Sequence, residues 1–475
     1  MALTPVRRTP RLRELDGARI AVAGMGISGT ASLAALSEHT GAVLSAWDGR
    51  GDEAEARLLT PRALLDWQPD IVVVSPGLPA VGDVHTALRK AGIPIWSEVE
   101  LAWRLRARDE DGEAAPWLAV TGTNGKTTTV QMAAAMAAEA GVRAAAVGNV
   151  GDPIVTAVTR GDGPDLLVVE LSSFQLHSTS TMSPLAAGCL NIADDHLDWH
   201  GSREAYHADK ARVYENTQLA CLYPVDDRAV AAMVEEADVI EGARAIGLTR
   251  GIPAPGQIGL VEDIVAERAY GADRFHSAHE LFQLEDLAHL AHGEVPLHLL
   301  SDAMMAAGLV RAAGIPPSAI RSALRSFSLG EHRIETVAVT DGVTWIDDSK
   351  ATNAHAARAS IRAQEDGSIV WIAGGVSKGA EFESLVADIA PRLRAAVIIG
   401  VEQEPLLRAL SSQAPGVPVA VIPPSSATVM AEAVSAAREF AGTSGVVMLA
   451  PACASWDQFA SYADRGDQFT RAVLE

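Results

Sequence analysis

The sequence predicts an α/β protein of three domains, each built on a mainly parallel sheet. Short apolar runs recur along the chain, each closing on a turn residue and followed by a helical pattern: residues 19–25, 70–78, 117–123, 165–171, 368–376, 395–401 and 445–453. The runs are continuous rather than alternating, so both faces of each sheet are covered, as in parallel α/β sheets. The chain has 475 residues, more than one core supports; at roughly 150 residues per domain the length suggests about three. Two breaks set the boundaries. Residues 106–116 (RARDEDGEAAP) form a charged, helix-breaking linker, and the pattern resets around residues 327–333 (FSLGEHR). The expected domains are 1–110, 111–328 and 329–475.

Composition narrows the function. A net charge of -22 argues against a nucleic-acid backbone or an anionic membrane surface as partner. Cys189, Cys221 and Cys453 are odd in number and widely spaced, which gives neither a disulfide framework nor zinc spacing and fits a reducing cytoplasm. Arg7, Arg8, Arg11 and Arg13 precede no apolar segment, so no signal peptide is expected. No run approaches the roughly 18 apolar residues that span a bilayer.

The first chemical motif follows the first strand. Gly24, Gly26 and Gly29 form GMGISG, with Asp48 ending the next strand, the pattern of a dinucleotide-binding turn. A nucleotide sugar, whose pyrophosphate suits the same turn, is favoured there; NAD and a plain glycine turn remain open.

Residues 121–129 (TGTNGKTTT) carry the strongest signal. An apolar strand runs into a Gly-rich turn and a helix, so backbone N–H groups and the helix dipole converge on an anion. Gly122, Thr123, Asn124, Gly125, Lys126, Thr127 and Thr128 are read as the phosphate cradle of ATP, with Lys126 reaching the β- and γ-phosphates and Thr127 ligating Mg²⁺. Val120 stands where the usual spacing has its first glycine.

Glu170 closes the apolar strand 166–169, and ligands gather at the carboxyl ends of parallel strands. A carboxylate there suits Mg²⁺. Residues 191–200 (NIADDHLDWH) concentrate Asp194, Asp195, His196, Asp198 and His200; a solvated, capped loop is the plainer alternative. Lys210, one helical turn from Tyr206 and from Tyr214, reads by itself as a surface lysine. Residues 223–296 offer nothing chemical.

These pieces, in this order, resemble a Mur ligase: TGTNGKTTT, GNVG, VVELSSFQL, NIADDHLDWH, the YHADK lysine, EHRIE, WIDDSKATN, IAGGVSKG and LAPACASWDQF run from Arg19 to the end. SKATN and PACAS-DQF are specific to the member that adds glutamate to UDP-N-acetylmuramoyl-L-alanine. The resemblance implies a Rossmann-like UDP-binding domain, a central P-loop ATPase domain and a Rossmann-like C-terminal domain for the amino acid. It also implies the chemistry: ATP phosphorylates the substrate carboxylate and D-glutamate attacks the acyl phosphate, in cytoplasmic peptidoglycan precursor synthesis. The alternatives are another Mur-type ligase or a folate polyglutamate synthase. An NAD-dependent oxidoreductase and a nucleotide switch are the rivals from other classes.

Carried over residue by residue, the resemblance makes Lys126, Glu170, His196 and Lys210 catalytic. Thr127 and Glu170 would hold one Mg²⁺; His196 and Lys210, the latter as N-carboxylysine, would hold a second. Ile27, Ser28, Asp48, Gly49, Arg50, Gly77, Asn149 and His196 would bind the UDP substrate. Arg333, Asp348 and Lys350 would approach ATP, and Thr352, Lys378, Ser455 and Tyr462 would hold glutamate. The expected state is a monomer. One departure stands out: Leu299 and Asp302 replace the two asparagines of the family's adenine-contacting helix, and leucine cannot hydrogen-bond a base. A second is Glu331, in place of the proline usual before the His-Arg pair.

Overall fold

The computed structural model describes residues 7–49, 57–193, 195–290, 294–426 and 428–475. Arg50 and Asp194, named above, lie outside them. The chain divides into two compact units, Met1–His289 with Leu299–Phe327, and Leu290–His298 with Ser328–Glu475. Three sheets organise it.

The first sheet has five parallel strands in the order Arg57–Leu58, Val43–Asp48, Arg19–Ala23, Ile71–Val74, Ile95–Ser97. Helix Ile27–His39 follows the Arg19–Ala23 strand. Its close seating depends on Gly29, where a Cβ would fall 1.9 Å from the Gly24 carbonyl oxygen.

The second sheet has nine strands: His279–Gln283, Ile264–Glu267, Gln257–Val261, Arg244–Thr249, Ala220–Pro224, Ala186–Cys189, Trp117–Thr121, Leu166–Glu170 and Ala144–Gly148. It is parallel except at one edge, where Ile264–Glu267 runs antiparallel to both neighbours. Trp117–Thr121 and Leu166–Glu170 are buried at every position, which is why their sequences are apolar without alternation.

One hydrophobic cluster joins the layers of the first two sheets, from Leu15 and Val22 to Trp117 and Val169. Polar pins fix their spacing. Buried Glu100 accepts from the backbone N–H groups of Ser180 and Thr181 and from the Thr181 hydroxyl. Its pKa is lowered: burial pushes it up, and these hydrogen bonds more than offset that. Trp103 meets Trp117 edge to face at 5.0 Å.

The third sheet, wholly in the second unit, runs Glu335–Thr340, Val343–Asp347, Gly445–Leu449, Ile369–Gly374, Leu393–Ile399, Val419–Val421. Only Glu335–Thr340 is antiparallel to its neighbour. Alternate residues of Ile369–Gly374 enter cores on opposite faces, Trp371 and Ala373 on one side, Val370 and Ile372 on the other.

Candidate active site

Strand Trp117–Thr121 delivers the glycine turn to helix Lys126–Glu139. Gly125 caps that helix at φ +84°, in the left-handed region that favours glycine. It is constrained a second time, since a Cβ there would lie 2.1 Å from Asp302 Oδ1. Lys126 Nζ donates to the carbonyl oxygens of Gly122 and Thr123, both at 2.9 Å. Neighbouring segments pin the turn. Asn191 Oδ1 accepts from Asn124 N at 3.0 Å, and the Thr123 hydroxyl meets Tyr206 Oη at 3.0 Å. Thr127 and Thr128 are buried in the first helical turn.

Glu170 sits on the same rung of the sheet as Val120 and Gly148. Asn149 Nδ2 donates to Glu170 Oε1 at 3.0 Å, while Oε2 is buried with no hydrogen-bond partner among the described residues. Lys210 is 2% exposed, and its Nζ donates to Gly122 O at 2.9 Å. Burial, then the charge of Lys126, pulls its pKa down to about 7; Asp195 and Glu170 oppose the shift. The structure therefore brings Lys126, Glu170 and Lys210 together. His196, at φ +53°, opens helix Leu197–His200 and lies edge-on to Phe174 at 4.7 Å.

Behind Lys210 runs a polar chain that sequence reasoning did not find. Asp209 accepts from His177 Nδ1 at 2.9 Å and from His200 Nδ1 at 2.8 Å, and His200 Nε2 meets the Ser173 hydroxyl at 2.9 Å. Burial raises the Asp209 pKa, but the two histidines outweigh it and hold the carboxyl below its ordinary value.

Around the first sheet, Asp48 accepts from Met25 N at 3.3 Å. Gly26 caps the next helix, and Ile27 is 81% exposed beside it. The Ser28 hydroxyl is engaged by buried Glu98. Gly49 and Gly77 have open space around their α-carbons, and neighbouring Pro76 accepts from Trp199 Nε1 at 3.1 Å. Leu299 is buried, and Asp302 is buried against the phosphate loop.

In the second unit, the turns after three adjacent parallel strands carry the expected residues. Lys350 Nζ donates to Tyr462 Oη at 3.2 Å, so residues expected to serve different ligands touch. Lys378, at φ +52°, places Nζ 5.1 Å from the Trp456 ring centre. Reciprocal backbone hydrogen bonds between Val376 and Ala454 tie its turn to the one carrying buried Ser455. Thr352 N donates to Lys350 O. Buried Asp348 is pushed up to about 7 by desolvation, against the Ser360 hydroxyl and Arg333. His332 Nδ1 meets Asp347 Oδ2 at 2.7 Å, and Glu335 accepts from His332 N. These hydrogen bonds account for the only cluster of His and carboxylate groups, among the described residues, close enough to share an ion.

The family description "Mur ligase middle domain" matches residues 120–250, and "Mur ligase, glutamate ligase domain" matches residues 332–453. A UDP-N-acetylmuramoylalanine–D-glutamate ligase of Streptomyces avermitilis is 48% identical over 96% of this chain and 98% of its own. The chain belongs to the Mur ligase family. A second D-glutamate ligase, from Thermobifida fusca, is 43% identical over 97% of this Mur ligase and 99% of itself. Among solved structures, the UDP-N-acetylmuramate–alanine ligase of Thermotoga maritima shares the fold at TM-score 0.54 and 16% identity, covering 96% of this chain and 99% of that one. The folylpolyglutamate synthase of Mycobacterium tuberculosis, complexed with ADP and AMPPCP, aligns at TM-score 0.55 and 13% identity over 76% and 91%. ATP is the family's nucleotide.

The donors of this Mur ligase suit a hard divalent cation. Buried Glu170 keeps one oxygen fixed by Asn149 and the other unpartnered among the described residues, and a threonine hydroxyl stands at position 127 of the adjoining loop. Asn191 and Tyr206, which brace the phosphate loop, went unrecognised in the sequence. Their only signal was position: Asn191 opens the acidic motif, and Tyr206 stands one turn before Lys210.

Proposed function

We propose that this Mur ligase joins D-glutamate to the carboxylate of UDP-N-acetylmuramoyl-L-alanine, with ATP converted to ADP and phosphate, in cytoplasmic peptidoglycan precursor synthesis. The near end-to-end match to D-glutamate ligases carries the choice of substrates. The convergence of Lys126, Glu170 and Lys210 supports the chemistry. The substrate carboxylate takes the γ-phosphoryl group, becoming an acyl phosphate; the glutamate amine attacks it, and phosphate leaves. Two anions must meet first, so fixed positive charge lowers the barrier.

In this reading Lys126 and the backbone N–H groups of residues 122–128 orient the phosphates. Thr127 and Glu170 hold one Mg²⁺, and His196 with N-carboxylated Lys210 hold a second. Mg²⁺ supplies Lewis-acid neutralisation of phosphate charge. Carboxylation requires a neutral amine, which the depressed Lys210 pKa supports. Asn149 positions Glu170 and, with His196, meets the muramoyl-alanine end. The turns at Gly24–Gly29 and Asp48, with Ile27, Ser28, Gly49, Arg50 and Gly77, take the UDP moiety. Arg333, Asp348 and Lys350 serve ATP; Thr352, Lys378, Ser455 and Tyr462 take D-glutamate. We further propose a monomer of three domains, 1–110, 111–328 and 329–475. The three cysteines are free and buried, and no helix among the described residues is long and apolar enough to cross a membrane.

The test is phosphate release with ATP and each substrate, separately and together. Release that requires both is expected. Hydrolysis with neither substrate present, or a change in nicotinamide absorbance in their place, overturns the reading.

A further inference from the structure

In the third sheet, Val343–Asp347, Gly445–Leu449 and Ile369–Gly374 are adjacent parallel strands. The turns at their carboxyl ends, where ligands of such sheets collect, are residues 348–353, 450–456 and 375–379. One side chain reaches the first two of these turns and the last residue of the strand that feeds the third. Arg465, on helix Tyr462–Leu474, is fully buried. Its Nε donates to Ser349 Oγ at 3.0 Å and one terminal nitrogen to Ser349 O at 2.8 Å; the other donates to Cys453 O at 3.2 Å and reaches Gly374 O at 3.5 Å.

All four acceptors are neutral. No carboxylate lies within ion-pair distance of Arg465 among the described residues; Asp347 and Asp457 act on it only through space. The oxygens of Asp347 are taken by His332 and by Ser349 N. A buried guanidinium without a counter-ion is costly, and burial pulls its pKa down to about 10, which still leaves it charged at neutral pH.

We propose that Arg465 is the positioning residue of the amino-acid site, bracing the turns at Ser349 and Cys453 against the strand end at Gly374 and leaving its charge to be balanced by a dicarboxylate amino acid. This rests on the D-glutamate reading above and assigns its selectivity for an anionic side chain to a residue that does not touch the ligand. Two effects combine. The fork ties up carbonyl oxygens whose negative ends would repel a carboxylate, and its field adds to that of Lys378.

The test is steady-state phosphate release with D-glutamate varied and the other substrates saturating. Arg465→Met should raise KM for D-glutamate about tenfold or more, and Arg465→Lys, which keeps the charge but not the fork, by less, while KM for the UDP substrate stays within about twofold. A brace that served folding alone would lower apparent kcat through loss of folded enzyme and leave KM for D-glutamate unchanged; that result overturns the proposal. Should both Arg465 variants fail to fold, Ser349→Ala removes one acceptor with little change in volume. It should raise the same KM about threefold, and an unchanged value likewise overturns the proposal. Absence of D-glutamate-dependent release in the parent enzyme is a separate outcome, which refutes the activity itself.

Discussion

Lys126 and Lys210 share one acceptor: each ammonium nitrogen lies 2.9 Å from the carbonyl oxygen of Gly122. Two cations on one buried oxygen oppose each other, and burial together with the charge of Lys126 pulls the Lys210 pKa down to about 7. Its folded pKa lies below the ordinary 10.5, so between those values the unfolded chain binds more protons. Stability from the unmodified side chain therefore rises with pH across that window. With ¹³C-labelled bicarbonate we expect a carbamate resonance in the parent that is missing in Lys210→Ala. The variant should be inactive and partly rescued by acetate. A parent without the resonance under saturating CO₂ contradicts the carbamate.

Lys126→Ala should abolish turnover, because the cation that meets the transferring phosphoryl group is gone. Activity within about tenfold of the parent would defeat the loop assignment, given the 10²–10³-fold effect of losing one such group.

Gly125 is constrained by its left-handed φ and by the Asp302 carboxylate. Gly125→Ala should therefore lose ATP binding, read by fluorescence or calorimetric titration. Adding Asp302→Ala relieves the clash but not the backbone strain, so recovery should be partial. Full ATP affinity in Gly125→Ala alone would show that neither constraint operates.

Asp209 holds two histidine rings. Asp209→Ala should cost about 1–3 kcal/mol in urea unfolding, the usual penalty for stranding buried polar groups. The folded pKa is depressed, so the parent's advantage is present above the unfolded value of 3.8 and disappears as pH falls through the folded one. An unchanged midpoint at pH 7 would mean that the chain behind Lys210 is not holding the helix.

Asp348 behaves in the opposite sense. Its folded pKa, about 7, lies above the unfolded 3.8, so its contribution is complete below 3.8 and is lost as pH rises to about 7. By calorimetry of the full chain, Asp348→Asn should match the parent at the acid end of the scale. It should melt progressively higher than the parent as pH approaches 7, with the gap constant beyond. A gap that does not vary with pH would place the ionisation elsewhere.

What the sequence revealed, and what it concealed, follows from packing. The strands ending in Thr121 and Glu170 were legible because burial on both faces leaves an uninterrupted apolar run. The phosphate turn was legible because only glycine tolerates its backbone. Lys210 was not, apart from the resemblance: the buried face of its helix is Tyr206, Asp209 and Lys210, a polar stripe at helical spacing that hydrophobic periodicity passes over. Asp209, His200 and Ser173 sit in three separate motifs and meet only on folding, so no local pattern announces their hydrogen bonds to one another. Arg465 stands in helix Tyr462–Leu474, and its acceptors Ser349, Cys453 and Gly374 lie far from it in sequence or in other elements. The strands between Arg244 and Gln283 were hidden because short strands with only two or three consecutive buried positions carry a weak periodic signal.

The rung joining Gly148, Glu170 and Val120 has a consequence for how such a protein changes over time. A one-residue slip of the Leu166–Glu170 strand would turn the carboxylate to the opposite face and unpair its neighbours on both sides, so alignment there is all or nothing. The far edge of the same sheet, His279–Gln283, is separated from that rung by five intervening strands. At that margin an inserted residue meets a paired strand on one side only, whereas at Glu170 it would break pairing on both.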